Sequence, residues 1–258
     1  MSGEEPLASL FIGADAAALG AAAAAYAAAR LRELARRQAQ VAVVFATGAS
    51  QLATLRALTA MADLPWGQIV GFHLDEYAGL SGAHPASFRR YLRTELTSKA
   101  PLAAFHFIAG DAADPDRVCR EYARLLAEQP PQLGLIGIGE NGHLAFNDPG
   151  EADFDDPQAV KVVALDDACR RQQVAEGWFP RIEDVPQRAI TLTIPTIMRV
   201  PELVVSVPGE RKAEIMARAM GEAISAACPA TILRRHPRAR LFLDAASAAR
   251  IGGGPRMA

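Results

Sequence analysis

The run Val41-Ala42-Val43-Val44-Phe45-Ala46 places six residues in a row without one polar side chain. A strand with one face in water alternates polar and apolar residues, so a strand apolar on both faces must be covered above and below. Comparable apolar, β-branched runs recur at 68–74, 133–138, 160–165, 189–194, 203–207 and 240–243. Helical patterns fill the intervals at 51–61, 87–96, 114–127 and 211–224. Parallel strands need helical crossovers, and this alternation supplies them. The expected fold is a three-layer, doubly wound α/β domain with a mostly parallel sheet.

A chain of 258 residues can bury one such core without a second domain. No repeat or linker divides it, and 148–186, rich in Asp, Pro and Gly, is the candidate for a mobile flap. The glycine-rich end, 252–258, is expected to fray. The alanine run at 21–25 belongs to a helix over 14–37 whose end carries Arg30, Arg32, Arg36 and Arg37, too weakly apolar for a membrane span. A net charge of −2 gives no basic field for nucleic acid or an anionic membrane, so an anionic ligand must be caught by local cations and backbone amides. Cys119, Cys169 and Cys228 are widely spaced and form no metal or disulfide pattern. The start lacks the basic flank of a secretory signal. Together these features suggest a reduced, cytoplasmic protein. A homo-oligomer is left open.

In open parallel sheets, ligands bind beyond the carboxyl ends of the strands, so the segments after each run are the ones to search. Thr47, Gly48, Ala49 and Ser50 follow the first run and lead into a helix, a small hydroxyl-bearing turn that suits an anion or an ordinary cap. Asp75 and Glu76 follow the second; a cap would need only one carboxylate, so Asp75 is a candidate base held at the sheet edge without deep burial. Arg89, Arg90 and Arg93 beyond it suggest a solvated helix face. Gly137-Ile138-Gly139-Glu140-Asn141-Gly142-His143 crowds more chemistry into one strand exit than a turn requires. His143 suits proton transfer, with Asp148 or Asn141 to fix its tautomer. Lys212, expected in the first turn of a helix, opposes the helix dipole unless an anion sits there; Glu210 and Glu214 could equally compensate it. A metal held by His143, Asp75 and Asp148 matches no common ligand spacing, and no metal or cofactor is expected.

Taken in order, these segments resemble the glucosamine-6-phosphate deaminase (isomerase) family. The resemblance rests on the Thr-Gly loop, Asp75-Glu76-Tyr77-Ala78-Gly79-Leu80 with His84-Pro85-Ala86-Ser87-Phe88, and the Gly137–Asn147 stretch. Val185-Pro186, Gly209-Glu210-Arg211-Lys212 and His236-Pro237 also fit. It implies a Rossmann-like fold without nucleotide and conversion of glucosamine 6-phosphate and water to fructose 6-phosphate and ammonia. By the same resemblance Asp75 moves a proton between C2 and C1, and His143 opens the ring. Asn141 and Asp148 fall on the histidine's two acidic companions, and Thr47, Gly48, Ala49, Ser50 and Lys212 on the phosphate cradle. Asn141 stands where an Asp is common, Asp148 where a Glu is usual. The family's phosphate-binding arginine is expected near Arg170 or Arg171, with Gln172 or Gln173 as alternatives. Two rival functions remain: a 6-phosphogluconolactonase-like hydrolase, disfavoured by Tyr77 and Ala145-Phe146-Asn147-Asp148, and a sugar-phosphate-binding protein without turnover.

Overall fold

In the computed structural model, which describes residues 9–252, the apolar run at 41–46 forms an interior strand of a seven-stranded parallel sheet. The strands are β1 Ser9–Gly13, β2 Val41–Phe45, β3 Ile69–His73, β4 Asp75–Tyr77, β5 Ala104–His106, β6 Leu133–Ile136, β7 Val160–Ala164, β8 Arg188–Leu192, β9 Leu203–Val207 and β10 Ala239–Asp244. The helices are α1 Ala16–Arg37, α2 Ala49–Thr59, α3 Phe88–Leu92, α4 Pro115–Glu128, α5 Asp167–Ala175, α6 Ile194–Met198 and α7 Ala213–Gly221. The large sheet has the order β1-β10-β9-β6-β2-β3-β5. Apart from Gly252, the tail expected to fray lies outside the described residues.

Period-two geometry divides β2 between two cores. Val41, Val43 and Phe45 pack with α1, α2 and the α3 region, while Ala42, Val44 and Ala46 pack with α4, α6 and α7. That is the three-layer arrangement expected from the sequence. Asp15 starts α1 by accepting a 2.8 Å hydrogen bond from the Ala18 amide, and Arg36 and Arg37 occupy the favourable last turn. Alanine lets α1 approach α2 closely: a Cβ at Gly20 would stand 2.5 Å from the Ala53 Cβ. Among the described residues no helix is long and apolar enough to cross a membrane.

Two runs expected in the parallel sheet lie elsewhere. β7 and β8 pair antiparallel with each other, and β8 with β4, in a separate three-stranded sheet. They are apolar on both sides because Ile190 and Leu192 face the main core while Ala189 and Val163 face a satellite core around Tyr77, Phe146 and Phe179. Burial on two faces was read correctly; parallel pairing does not follow from it. Arg89 also departs from the expected solvated face. It is buried and reaches Asp111 at 2.9 Å, whereas Arg90 and Arg93 are exposed.

His73 ends β3 fully buried, and neither ring nitrogen meets a hydrogen-bond partner among the described residues. Burial, and secondarily the charge of Arg89, pushes its pKa down from an ordinary 6.5 to about 3. On acidification the unfolded chain therefore takes this proton near pH 6.5, and the folded chain only near pH 3. Stability from this residue is level above pH 6.5 and falls as pH drops toward 3, by about 2 kcal/mol at pH 5. Urea unfolding of His73→Leu at pH 5 and pH 7.5 should show that much less acid sensitivity than the parent; parallel behaviour would remove His73 as the cause.

Candidate active site

Strands β2, β3, β6 and β9 end at one edge, and the segments that follow them enclose a cavity of about 510 Å³. Thr47, Gly48, Ala49 and Ser50 form one wall; Lys212 comes from the wall after β9, and Asp75 and His143 line the space beside them. Gly48 has φ of 88°, which turns the chain into α2, and no side chain caps that helix. The positive end of α2 is thus presented to the cavity. Lys212 closes a 3-10 turn over Glu210–Lys212 and is the N-cap of α7, one step ahead of the expected first turn. It is 7% exposed, and no carboxylate lies within 4.0 Å of its amine among the described residues. Burial lowers its pKa, with the charges of Glu176 and Glu140 opposing the fall. Glu214 is engaged with Arg250 instead.

The adjacent carboxylates at 75 and 76 divide their tasks. Glu76 is fully buried and accepts from the amides of Tyr77, Phe88 and Arg89 at 2.9, 3.1 and 2.8 Å and from the Ser87 hydroxyl at 2.8 Å. It anchors the start of α3 and thereby Phe88, which lines the cavity and stacks on Phe146 at 5.6 Å. Asp75 is only 6% exposed, deeper than the shallow placement expected. Burial first, then the Glu76 charge, raises its pKa well above the usual carboxylate range. A carboxylate so placed takes and returns a carbon-bound proton more readily than one fully solvated.

His143 lies over Gly139, where an added Cβ would stand 2.2 Å from the ring, so only glycine leaves room for it. Its Nδ1 is 2.9 Å from Asp148 Oδ1. Asp148 is buried; burial would raise its pKa, but the His143 ring 2.9 Å away, with the Asn141 amide, holds it below the ordinary value. Asn141 does not meet the imidazole as expected. Its Oδ1 accepts from the His143 backbone amide at 3.0 Å, and its Nδ2 donates to Asp148 Oδ1 at 2.9 Å and Asp166 Oδ2 at 3.3 Å. Asn141 and Asp148 therefore stand behind His143 and do not line the cavity. Ala145, which also lines the cavity, holds φ of 53°, a conformation uncommon without glycine and frequent at working sites. A ring nitrogen of His143, an Asp148 oxygen and Cys169 Sγ lie within 4.8 Å of one another, the donor set nearest to a metal site among the described residues. Its Asp148 oxygen is already engaged by Asn141 and His143.

The model of the family described as glucosamine-6-phosphate isomerases/6-phosphogluconolactonase matches residues 14–242. The chain belongs to that family. A glucosamine-6-phosphate deaminase of an Exiguobacterium strain is 39% identical over 187 residues, 72% of each chain. One from Oenococcus oeni is 32% identical over 204 residues, covering 79% of this chain and 84% of that one. A solved monomeric glucosamine-6-phosphate deaminase superposes with a TM-score of 0.86 at 28% identity, over 94% of this chain and 99% of that one. A putative 6-phosphogluconolactonase from Neisseria gonorrhoeae shares the fold, with a TM-score of 0.73 at 18% identity over 92% and 99% of the two chains.

Within this member of the family, Gln172 and Gln173 of α5 line the cavity. Arg171 is exposed and pairs with Asp167 at 3.3 Å, and Arg170 donates to the Ile182 carbonyl at 2.7 Å. Gln172 accepts from the Glu140 amide at 3.1 Å and donates to Glu176 at 2.7 Å, while Gln173 accepts from the Tyr77 hydroxyl at 2.8 Å. Glu140, Glu176 and Arg211 also line the cavity. Glu140 and Arg211 stand in segments that the sequence marks as strand exits without a role for either, and Glu176 is not anticipated at all. Asp166-Asp167 ahead of a helical pattern was the signal that α5 begins there.

Glu76→Gln retains the shape but leaves a single acceptor oxygen for four donors. Its expected cost is about 1–3 kcal/mol, the range for buried groups left unsatisfied. A lowered urea midpoint with faster amide exchange at Phe88 and Arg89 checks this; an unchanged midpoint would show that the carboxylate is not the anchor.

Proposed function

We propose that the chain is a glucosamine-6-phosphate deaminase, converting the amino-sugar phosphate and water to fructose 6-phosphate and ammonia. The observation that carries this reading is the convergence of Asp75, His143, the α2 N-terminus and Lys212 on one cavity. The phosphate is held between the amides and hydroxyls of Thr47, Gly48, Ala49 and Ser50 and the Lys212 ammonium. With that end fixed, His143 delivers a proton to the ring oxygen, the bond from C1 to that oxygen breaks, and the C1 hydroxyl releases its proton to solvent as it becomes the aldehyde. Asp148, oriented by Asn141, supports the charged imidazole. Asp75 then takes the proton from C2 and returns it to C1 while a proton passes from the amine to the C1 oxygen, so the aldehyde becomes a hydroxymethyl group and the C2 amine an imine, which water hydrolyses to ketone and ammonia. The deep placement of Asp75 suits this transfer, since a carboxylate of raised pKa both accepts and returns the proton. A metabolic enzyme of this kind suits the cytoplasm.

The deciding assay incubates the protein with glucosamine 6-phosphate, galactosamine 6-phosphate and 6-phosphogluconolactone, and measures ammonia, ketose phosphate and acid. Ammonia with ketose phosphate supports the reading; acid from the lactone alone replaces it with the hydrolase, and binding without turnover with a sensor.

Lys212→Ala should weaken substrate binding by about 1.5–3 kcal/mol, the range for hydrogen bonds to charged groups. KM and the inhibition constant of inorganic phosphate should both rise; if neither changes, Lys212 is not in the cradle. Asp75→Asn keeps the shape and removes the base, so solvent-deuterium exchange into C1 and C2 should collapse while phosphate inhibition persists. Exchange at the parent rate would reject Asp75 as the base. Because its pKa is raised, the parent's activity should fall on acidification at a pH above the ordinary carboxylate range.

A further inference from the structure

Asp166 stands at the start of α5, eighteen residues beyond Asp148, and its two oxygens do different things. Oδ1 accepts from the Cys169 amide at 2.6 Å, the ordinary work of a helix cap. Oδ2 is not needed for the cap. It accepts from Asn141 Nδ2 at 3.3 Å, the same amide that donates to Asp148 Oδ1 at 2.9 Å. The Asp166 backbone amide also points to Asp148 Oδ2, at 3.5 Å. An amide has two N–H groups, and here each satisfies a carboxylate from a different segment. Asn141 is thus a neutral bridge that lets two carboxylates approach each other, and the nearer one faces His143 Nδ1 at 2.9 Å. An uncharged residue at 141 does not leave the histidine with a single acid behind it, because α5 brings the second.

We propose that Asp166 is a positioning residue for His143, acting through the Asn141 bridge to fix Asp148 and to add a second negative charge behind the imidazole. The inference rests on the deaminase reading for its kinetic consequence only. α5 also carries Gln172 and Gln173 into the cavity, so the contact ties the helix that lines the substrate space to the loop that holds the histidine. Other ionisable groups around the ring are Asp148 on its Nδ1 side and the Cys169 thiol, with Asp75, Glu140 and Lys212 on the cavity walls.

Asp166→Asn and Asp166→Ser both keep a competent helix cap, but the first removes the charge and the second also withdraws from Asn141. In both, the alkaline limb of kcat/KM against pH, where the imidazolium that donates to the ring oxygen is lost, should move down by roughly 0.5–1 pH unit, from the loss of one charge at intermediate distance. kcat for the closed-ring substrate should fall several-fold, while turnover of an open-chain analogue stays near the parent. The midpoint of the His143 ring titration, followed by NMR without substrate, should move in the same direction. A role confined to the cap predicts parent-like profiles and titrations for both variants, with only Asp166→Ala impaired through its melting temperature, and that result would overturn the proposal. If the parent fails to deaminate any amino-sugar phosphate but the titration still moves in both variants, the deaminase reading falls and the positioning role stands.

Discussion

Parallel pairing of the central strands governs the rest of this structure. When β9, β6, β2 and β3 run side by side in one direction, their carboxyl ends share an edge, and each chain segment leaving that edge must turn before its crossover. The turns after these four strands supply Thr47 to Ser50, Asp75, His143 and Lys212. Residues up to 165 positions apart, from Thr47 to Lys212, meet because hydrogen-bond direction leaves their strands no other exit.

What each carboxylate can do then depends on how many donors its surroundings offer. Glu76 is buried among four and serves as an anchor. Glu202, at the opposite end of β9, is almost as deep and is paired with Arg30 at 2.8 Å and Arg238 at 3.1 Å, with Tyr26 completing its shell. Asp75 is buried without comparable donors, and its pKa rises accordingly. Asp148 is buried with a histidine and an amide, and its pKa falls. Burial alone does not mark a reactive carboxylate; burial without full hydrogen-bond compensation does.

The sequence was most legible where one local pattern had one physical meaning. The unbroken apolar run of β2 could only be a strand covered on both faces, and the strand exits could be searched in turn. It was less legible where burial had several geometries. β7 and β8 look like interior strands of a parallel sheet, yet Ile190 and Ala189 are buried by two different cores across a small antiparallel sheet. β5 and β4 are three residues long, too short for a periodic signal. Composition marks 148–186 as a flap, which hides the cap at Asp166, and local pattern leaves the choice between the arginines and the glutamines of α5 open.

The chain's sequence by itself determined the fold class and the edge of the sheet at which Asp75, His143 and Lys212 come to line one cavity. Those properties follow from backbone periodicity, from strand direction and from side-chain types whose placement at a strand exit has few other uses. Only the tertiary structure decided that Glu76 is an anchor, that Gln172 and Gln173 rather than Arg170 and Arg171 face the cavity, and that Asn141 joins Asp148 to Asp166 instead of touching the imidazole. Each depends on the direction in which a side chain meets a segment far away in sequence. Such contacts between distant segments are set by how the layers pack, and no local pattern encodes them.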